Sequence, residues 1–600
     1  MQETQHAGQT SAGLGPAERA FVQTITGDEA WRLVEYFATL NRESGSEDER
    51  RAARYIAERL QAAGVPVAVH APQLYLSLPR GAQVRLGGES GLRVRAKTPS
   101  FSVSTGDGGR TARLAYVPSG FAWGSADLFQ SGLGEPDRRD LEGAVALTEG
   151  LPLPQKVADL QARGAAAALF VSPGERIHEA VCTPIWGGPD LENQHRRPAI
   201  PVAAVSRPDG RRLVAAAREA EAAGRLLEVT VVTRLEEGLF SCPVVVATIP
   251  GAGEPEAFVL LHGHLDSWHV GVGDNAVGDG AMLEIALALW QHRERLRRSV
   301  RVAWWPGHSQ GRYAGSTWYA DTFALDLAEH CVAHLNCDSP GCRWAEVFED
   351  VSWTPELEGF ARQVVRDLTG QEARGGRPPR AGDYSFNNLG ISAAFMLSST
   401  MPDALRQAKG YYGVGGCGGN IEWHTEADTL EVADRALLTR DTRVYGLAVW
   451  RLATAEVLPF DFRATVADMR QAASGYANAV RARGDLQPVL DELDRLDGAL
   501  ARLRAAQQAG KVSPRALNQA LLRLSRILVR LHFARQDRFR QDPALQIPPL
   551  PDLAAAERLA ALPEGSLEAF FAANSLVRGR NRVVYELREA TRLVEELLVA

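Results

Sequence analysis

LLHGHLDSWHVGVGDNAVGDGAMLE, residues 260–284, decides how the rest of the chain is read. AFVLLHGHLD has the apolar run of a buried strand. Alternate side chains of a strand share a face, so His262, His264 and Asp266 point to one side. A glycine-rich loop holding Asp274 follows, and a helix begins near Gly280. Histidine and aspartate converging from a strand end and the next loop are ordinary geometry for a divalent metal. Asp266, two residues past His264, is placed to orient that imidazole as an acceptor behind the metal shell. Taken alone, the stretch reads equally well as a polar loop with unconnected histidines.

Outward from it, strands and helices alternate. PVVVATIPG, VRVAWWPGH, EHCVAHLNCD and GISAAFMLSS are strand-like; GAMLEIALALWQHRERL and TPELEGFARQVVRDLTG are helical. This spacing predicts an α/β fold, a mostly parallel sheet with helices on both faces. Chemistry in such sheets collects at the carboxyl ends of strands. HLNCDSPG puts Asp338 at one such end, and GGNIEWHTEADTLE puts His424 after a run of glycines, with Asp428 four residues on. Singly each is weak, since Asp before Ser-Pro-Gly is a common turn residue. Jointly, His264, Asp274, Asp338 and His424 reach one sheet from four loops. A third strand, VRVAWW, ends on Pro306-Gly307 and delivers His308, Ser309 and Gln310, with no acidic residue beside them.

Six hundred residues exceed one core, so two to four domains are expected. Residues 1–17, polar and Gly/Ser/Gln-rich, read as a disordered tail. The main α/β domain takes 18–110 and 239–455, interrupted at 111–238 by a small α/β insert with short strands such as GAVALTEG and AAALFVSP. From 456 to 600 the strands stop and every segment is amphipathic at helical period, a terminal helical domain.

Apolar and charged fractions of 45% and 23% are those of a soluble globular protein. A formal charge of −7 argues against a nucleic-acid-binding surface, which needs clustered Lys and Arg. No run of about 18 apolar residues offers a membrane span. The start carries no signal-peptide pattern, and six cysteines make no disulfide framework, so reduced thiols and a cytoplasmic location are expected.

The order of these motifs resembles the zinc exopeptidase family of bacterial aminopeptidases, glutamate carboxypeptidase II and the transferrin receptor. NRESGSEDERRAARYIAERLQAAG is similar to the family's opening Arg…Gly-Ser segment and helix. LEGAVALTEG, KVADLQARGAAAALFV and PVAAVSRPDGRRL resemble a protease-associated domain, GHLDSW and GDNAVGDGAMLE the first metal motif, and GSTWYAD the turn after the catalytic strand. EVLPFDFRATVADMRQAASGYANAV resembles the start of a transferrin-receptor-type dimerisation domain. The resemblance implies zinc, one or two ions per chain, with Asp274 as the bridging carboxylate. His264 and Asp338 would complete one ion, and His424 would bind the other.

The family's strand ends with two adjacent glutamates before the Gly-Ser turn, a general base and a metal ligand. Here both are absent: in either register of the turn the two places hold only His308, Ser309 or Gln310. Three readings of His308 stand open: a ligand in place of glutamate, a general base, or a remnant in a site without turnover. Glu422, two residues before His424 and on its side of an extended chain, is the best placed carboxylate to compensate, against its reading as a solvated loop residue. Tyr384 is a candidate oxyanion donor, against packing on the rim. Trp423 stands where glutamate carboxypeptidases have tyrosine, and NSLVRGRNRVVYELREA lacks their glutamate-recognition loop, so glutamate specificity is not carried over.

The expected function is a metal-dependent exopeptidase, amino- or carboxypeptidase-like, acting on peptides or small amides. The expected assembly is a homodimer through the helical domain. The alternatives are a catalytically inactive binding scaffold, or a single-zinc amide or acyl-transfer enzyme using His264, Asp274 and His424.

Overall fold

The computed structural model describes residues 13–87, 92–121 and 141–599. Its central sheet is built from β1 (Val67–His70), β9 (Val244–Ile249), β10 (Glu254–His264), β11 (Arg298–Trp305), β12 (Cys331–Asn336) and β15 (Ser392–Ala394), in the spatial order β1-β9-β11-β10-β12-β15. β10, β11, β12 and β15 run parallel, while β1 and β9 close one side antiparallel. The fold is therefore the mostly parallel α/β sheet that the strand–helix alternation predicts.

Alternation along each strand feeds two cores. Val245, Ala247, Ile249, Val259 and Leu261 pack on one face with the helix Val277–Gln291 and the helix Arg435–Thr454. Val244, Val246, Phe258 and Leu260 pack on the other with Tyr319, Ala320 and Leu327. Being covered on both sides is why these strands read as unbroken apolar runs rather than as alternating ones. The first core continues without a break into the terminal helices Phe462–Val480, Gln487–Gln508, Pro514–Phe533 and Leu567–Val599.

Between β1 and β9 the chain forms a closed barrel. Its strands are β2 (Gln73–Leu86), β3 (Leu92–Lys97), β4 (Arg110–Tyr116), β5 (Val145–Glu149), β6 (Ala167–Val171), β7 (Val202–Val205) and β8 (Glu228–Ser241), in the order β2-β3-β7-β6-β5-β4-β8. This corrects the insert boundary expected at residue 111. β2 pairs with β8 from Gln73↔Ser241 to Leu86↔Val229, so the insert begins near residue 73. Position 111 lies inside β4, and composition does not change where one sheet hands over to the next.

Residues 16 and 17, expected within a disordered tail, open a helix instead. The helix Pro16–Thr24 starts on a proline in its first turn, Gly15 N–H donates to Glu18 Oε2 at 2.8 Å, and Leu14 is buried. Residues 1–12 lie outside the described residues. β13 (Val351–Ser352) and β14 (Gly375–Gly376) form a separate two-stranded pair. No helix among the described residues is long and apolar enough to cross a membrane.

One close approach positions the metal-type motif. The helix Val277–Gln291 lies so near the helix Asp28–Phe37 that a Cβ on Gly280 would stand 2.6 Å from the Ala30 carbonyl oxygen. Gly280→Ala must push these helices apart, at a cost of about 1–3 kcal/mol. The expected outcome is a lowered thermal midpoint, and a midpoint equal to that of the parent would contradict this packing.

Candidate metal centre

His264 ends β10, and the loop after it doubles back because buried Arg42 ties three of its carbonyls. Arg42 donates to the carbonyls of Leu265 at 2.9 Å, Val270 at 2.8 Å and Gly271 at 2.9 Å. Asp274 sits next, its backbone N–H and that of Gly273 donating to the Asp428 carboxylate at 3.0 and 2.7 Å. Asn275 donates from Nδ2 to the Cys337 carbonyl and accepts from Ser339 N–H at 2.9 Å, joining this loop to the one that carries Asp338.

The strand ends bring His264, Asp274, Asp338 and His424 together. His264 Nε2 is 2.8 Å from Asp274 Oδ1 and 3.7 Å from Asp338 Oδ2; His424 Nε2 is 2.9 Å from Asp274 Oδ2. One carboxylate thus spans two imidazoles. His308 joins them with its ring stacked on that of His264 at 3.9 Å and 18°. Each imidazole has its Nδ1 committed to an oxygen: His264 to the Asp266 carbonyl at 2.8 Å, His424 to the Glu179 carbonyl at 3.0 Å, His308 to Asp383 Oδ2 at 2.7 Å. That arrangement leaves the Nε2 atoms for the centre.

Electrostatics follow from burial. Burial alone would lower the His264 pKa, but the bond to Asp274 and the charges of Asp274, Asp338 and Asp266 raise it well above the ordinary range. Burial would raise Asp274, yet the two imidazoles hold it well below the usual carboxylate range. Asp338 is pushed up to about 6 by burial and then by the negative charge of Asp274. A pocket that attracts protons so strongly attracts divalent cations for the same reason. Imidazole nitrogens backed by fixed oxygens, facing buried carboxylates, are a donor set that fits zinc.

Two expectations are corrected. Asp266 orients His264 through its backbone carbonyl, not its carboxylate; the carboxylate accepts instead from the N–H groups of His308 at 2.9 Å and Ser309 at 3.0 Å, shaping the turn after β11. Tyr384 is no oxyanion donor. It is wholly buried and its hydroxyl donates to the Phe395 carbonyl at 2.7 Å. Glu422 does not compensate for the missing glutamates, because Arg343 holds it at 2.7 Å. His262, on the same strand as His264, pairs with buried His334 at 3.0 Å rather than with the centre.

Sequence reasoning missed two contributors. Asp383, wholly buried, backs His308 and also accepts from Ser316 Oγ at 2.6 Å; the Gly-Asp-Tyr of its loop was the one available signal. The barrel supplies the other. In its loop, Glu179 N–H donates to the His424 carbonyl at 2.8 Å, and His178 Nδ1 to the Trp423 carbonyl at 2.7 Å. The resulting pocket is walled by Leu151, Val181, Arg312, Tyr313, Leu397 and Trp423 around the centre.

Comparison with known proteins agrees with this geometry. Residues 244–448 match peptidase family M28. A probable glutamate carboxypeptidase of Zea mays, VP8, is 27% identical over 241 residues, 38% of this chain and 33% of that one. An aminopeptidase from Aneurinibacillus sp. strain AM-1 superposes with a TM-score of 0.52 at 20% identity, over 73% of this chain and 96% of that one. A zinc aminopeptidase from Bacillus subtilis superposes with a TM-score of 0.50 at 18% identity, over 73% and 96%. The chain spans from about a sixth to a half of the length of the curated relatives it matches. Residues 244–448 are therefore the part of the chain that is similar to peptidase family M28.

Proposed function

We propose that the chain is a metal-dependent exopeptidase that hydrolyses peptides or small amides in the pocket between the sheet and the barrel. The observation that carries this reading is the set of three imidazoles, each with Nδ1 bound, around the carboxylates of Asp274 and Asp338. His264, Asp274, Asp338, His424 and His308 would hold zinc there. Bound, zinc would polarise a scissile carbonyl and favour ionisation of water.

The chain's own residues bind and exclude. Leu151 and Val181 of the barrel and Leu397 and Trp423 of the sheet domain line the walls, which favours a short peptide end over a folded chain. Arg312 lines the same pocket and offers a cation for a free carboxylate. The barrel corresponds to the protease-associated insert of the resemblance.

A binding scaffold without turnover is the second reading, and one observation favours it. Gln310, at a family glutamate position in one register of the turn, is buried and spent. Its Oε1 accepts from Ser44 Oγ at 2.7 Å and its Nε2 donates to the Ser267 carbonyl at 3.3 Å. Loss of acid–base assistance costs about 10²–10⁴-fold in rate. A peptide-library digest separates the readings: release of terminal residues by the zinc-loaded chain, abolished by chelator and by Asp274→Ala, is expected. No release at any terminus, with zinc bound, would leave the scaffold.

A homodimer through the terminal helix completes the proposal. Leu567, Phe570, Phe571, Val577 and Tyr585 are 69%, 61%, 59%, 47% and 60% exposed. At 100° per residue they share an arc of about 120° on the helix Leu567–Val599. Exposed Asn574, Arg578 and Asn581 interleave with them, so the apolar cluster that would meet a partner is the first turn, at Leu567, Phe570 and Phe571. Phe570→Glu with Phe571→Glu should convert a dimer to a monomer in sedimentation; a parent that is itself monomeric at micromolar concentration would remove this part of the proposal.

A further inference from the structure

We infer that one ion per chain is held tightly, by His264, His308 and Asp338, with Asp383 as the residue that positions His308. The inference rests on the reading of this pocket as a metal centre and departs from the paired-ion arrangement that the family resemblance implies. Among the described residues, the ligand atoms of His264, His308 and Asp338 all lie within 4.8 Å of one another. His308 is thus grouped with the ligands at the ends of β10 and β12, not with His424. Three protein ligands and an open position are the constitution of a catalytic zinc site.

The other half of the pocket is poor in ligands. Among the described residues, the carboxylate that pairs with His424 is Asp274, at 2.9 Å, and it is shared with His264. The remaining carboxylates nearby are engaged elsewhere. Glu179 pairs with Lys97 at 2.9 Å and His269 at 3.0 Å, Glu426 with Lys97 at 2.9 Å, and Glu422 with Arg343 at 2.7 Å. Asp428 is occupied by the backbone of Gly273 and Asp274. Gln310, turned onto Ser44 and Ser267, offers no charge to a second ion. Two protein ligands make a weak site for zinc.

Asp383 gives His308 the form a ligand needs. It accepts from Nδ1–H at 2.7 Å, is itself wholly buried, and is steadied by Ser316 Oγ at 2.6 Å. The proton is thereby kept on Nδ1, which leaves the Nε2 lone pair free for an ion. A carboxylate behind a ligating histidine fixes both tautomer and ring direction, and its loss typically costs about 10–100-fold in metal affinity.

The test is zinc titration of the metal-free full chain against a chromophoric chelator, with X-ray absorption to count imidazoles. One zinc per chain with two imidazoles is expected. Asp383→Asn should weaken binding about 10–100-fold, His308→Ala should weaken it more, and His424→Ala should weaken it less than His308→Ala does. Melting curves of the metal-free variants check that each is folded, and Asp383→Asn retains the imidazole if His308→Ala does not fold. Two zinc ions per chain, or tight binding that survives His308→Ala and fails in His424→Ala, would overturn the inference while leaving the metallopeptidase reading intact. No zinc bound at all would overturn both.

Discussion

A single buried carboxylate, Asp274, organises the centre of this protein. It lies between His264 and His424 with one oxygen turned to each. An ionised group with almost no exposure is tolerated only when it is paired and hydrogen-bonded. The surrounding architecture meets that demand. Asp428 fixes the backbone on which Asp274 stands, Arg42 folds the loop before it, and Asn275 couples it to the strand end bearing Asp338. Disturbing any of these leaves a buried charge without its partners, which explains why so much polar bonding is spent on one turn.

The barrel and the sheet domain meet at the same place. His424 has a left-handed backbone, φ 55°, and Trp423 stacks on its ring at 3.6 Å. Strained backbone persists where the surroundings over-determine it, and here the barrel loop at His178 and Glu179 does so by bonding to both residues. The barrel is thus part of the centre's support as well as of the pocket wall. It positions one imidazole as firmly as the sheet positions the other.

The turn after β11 shows how a departure from family pattern is absorbed. The Asp266 carboxylate collects the N–H groups of His308 and Ser309, and Gln310 bonds to Ser44. The neutral side chains are therefore structurally accommodated, and the polar group left facing the pocket is His308. Asp383, brought from a loop some seventy-five positions away, gives that imidazole a fixed direction.

Periodicity and strand–helix alternation determined the α/β class, the parallel strands and the terminal helices, because two-sided burial and amphipathic faces write themselves into local composition. His264, Asp274, Asp338 and His424 stood out for a similar reason: each follows an apolar run or a glycine turn at a strand end, where a parallel sheet gathers its loops. The insert's true beginning at β2 left no such trace, since a strand that pairs with β8 looks like one that pairs with β9. Tertiary structure alone decided that Asp266 acts through its carbonyl, that Tyr384 is spent on Phe395, and that Asp383 and the barrel loop reach the centre. Those are contacts between distant segments, and the identity of a side chain's partner is set by packing in three dimensions rather than by its neighbours along the chain.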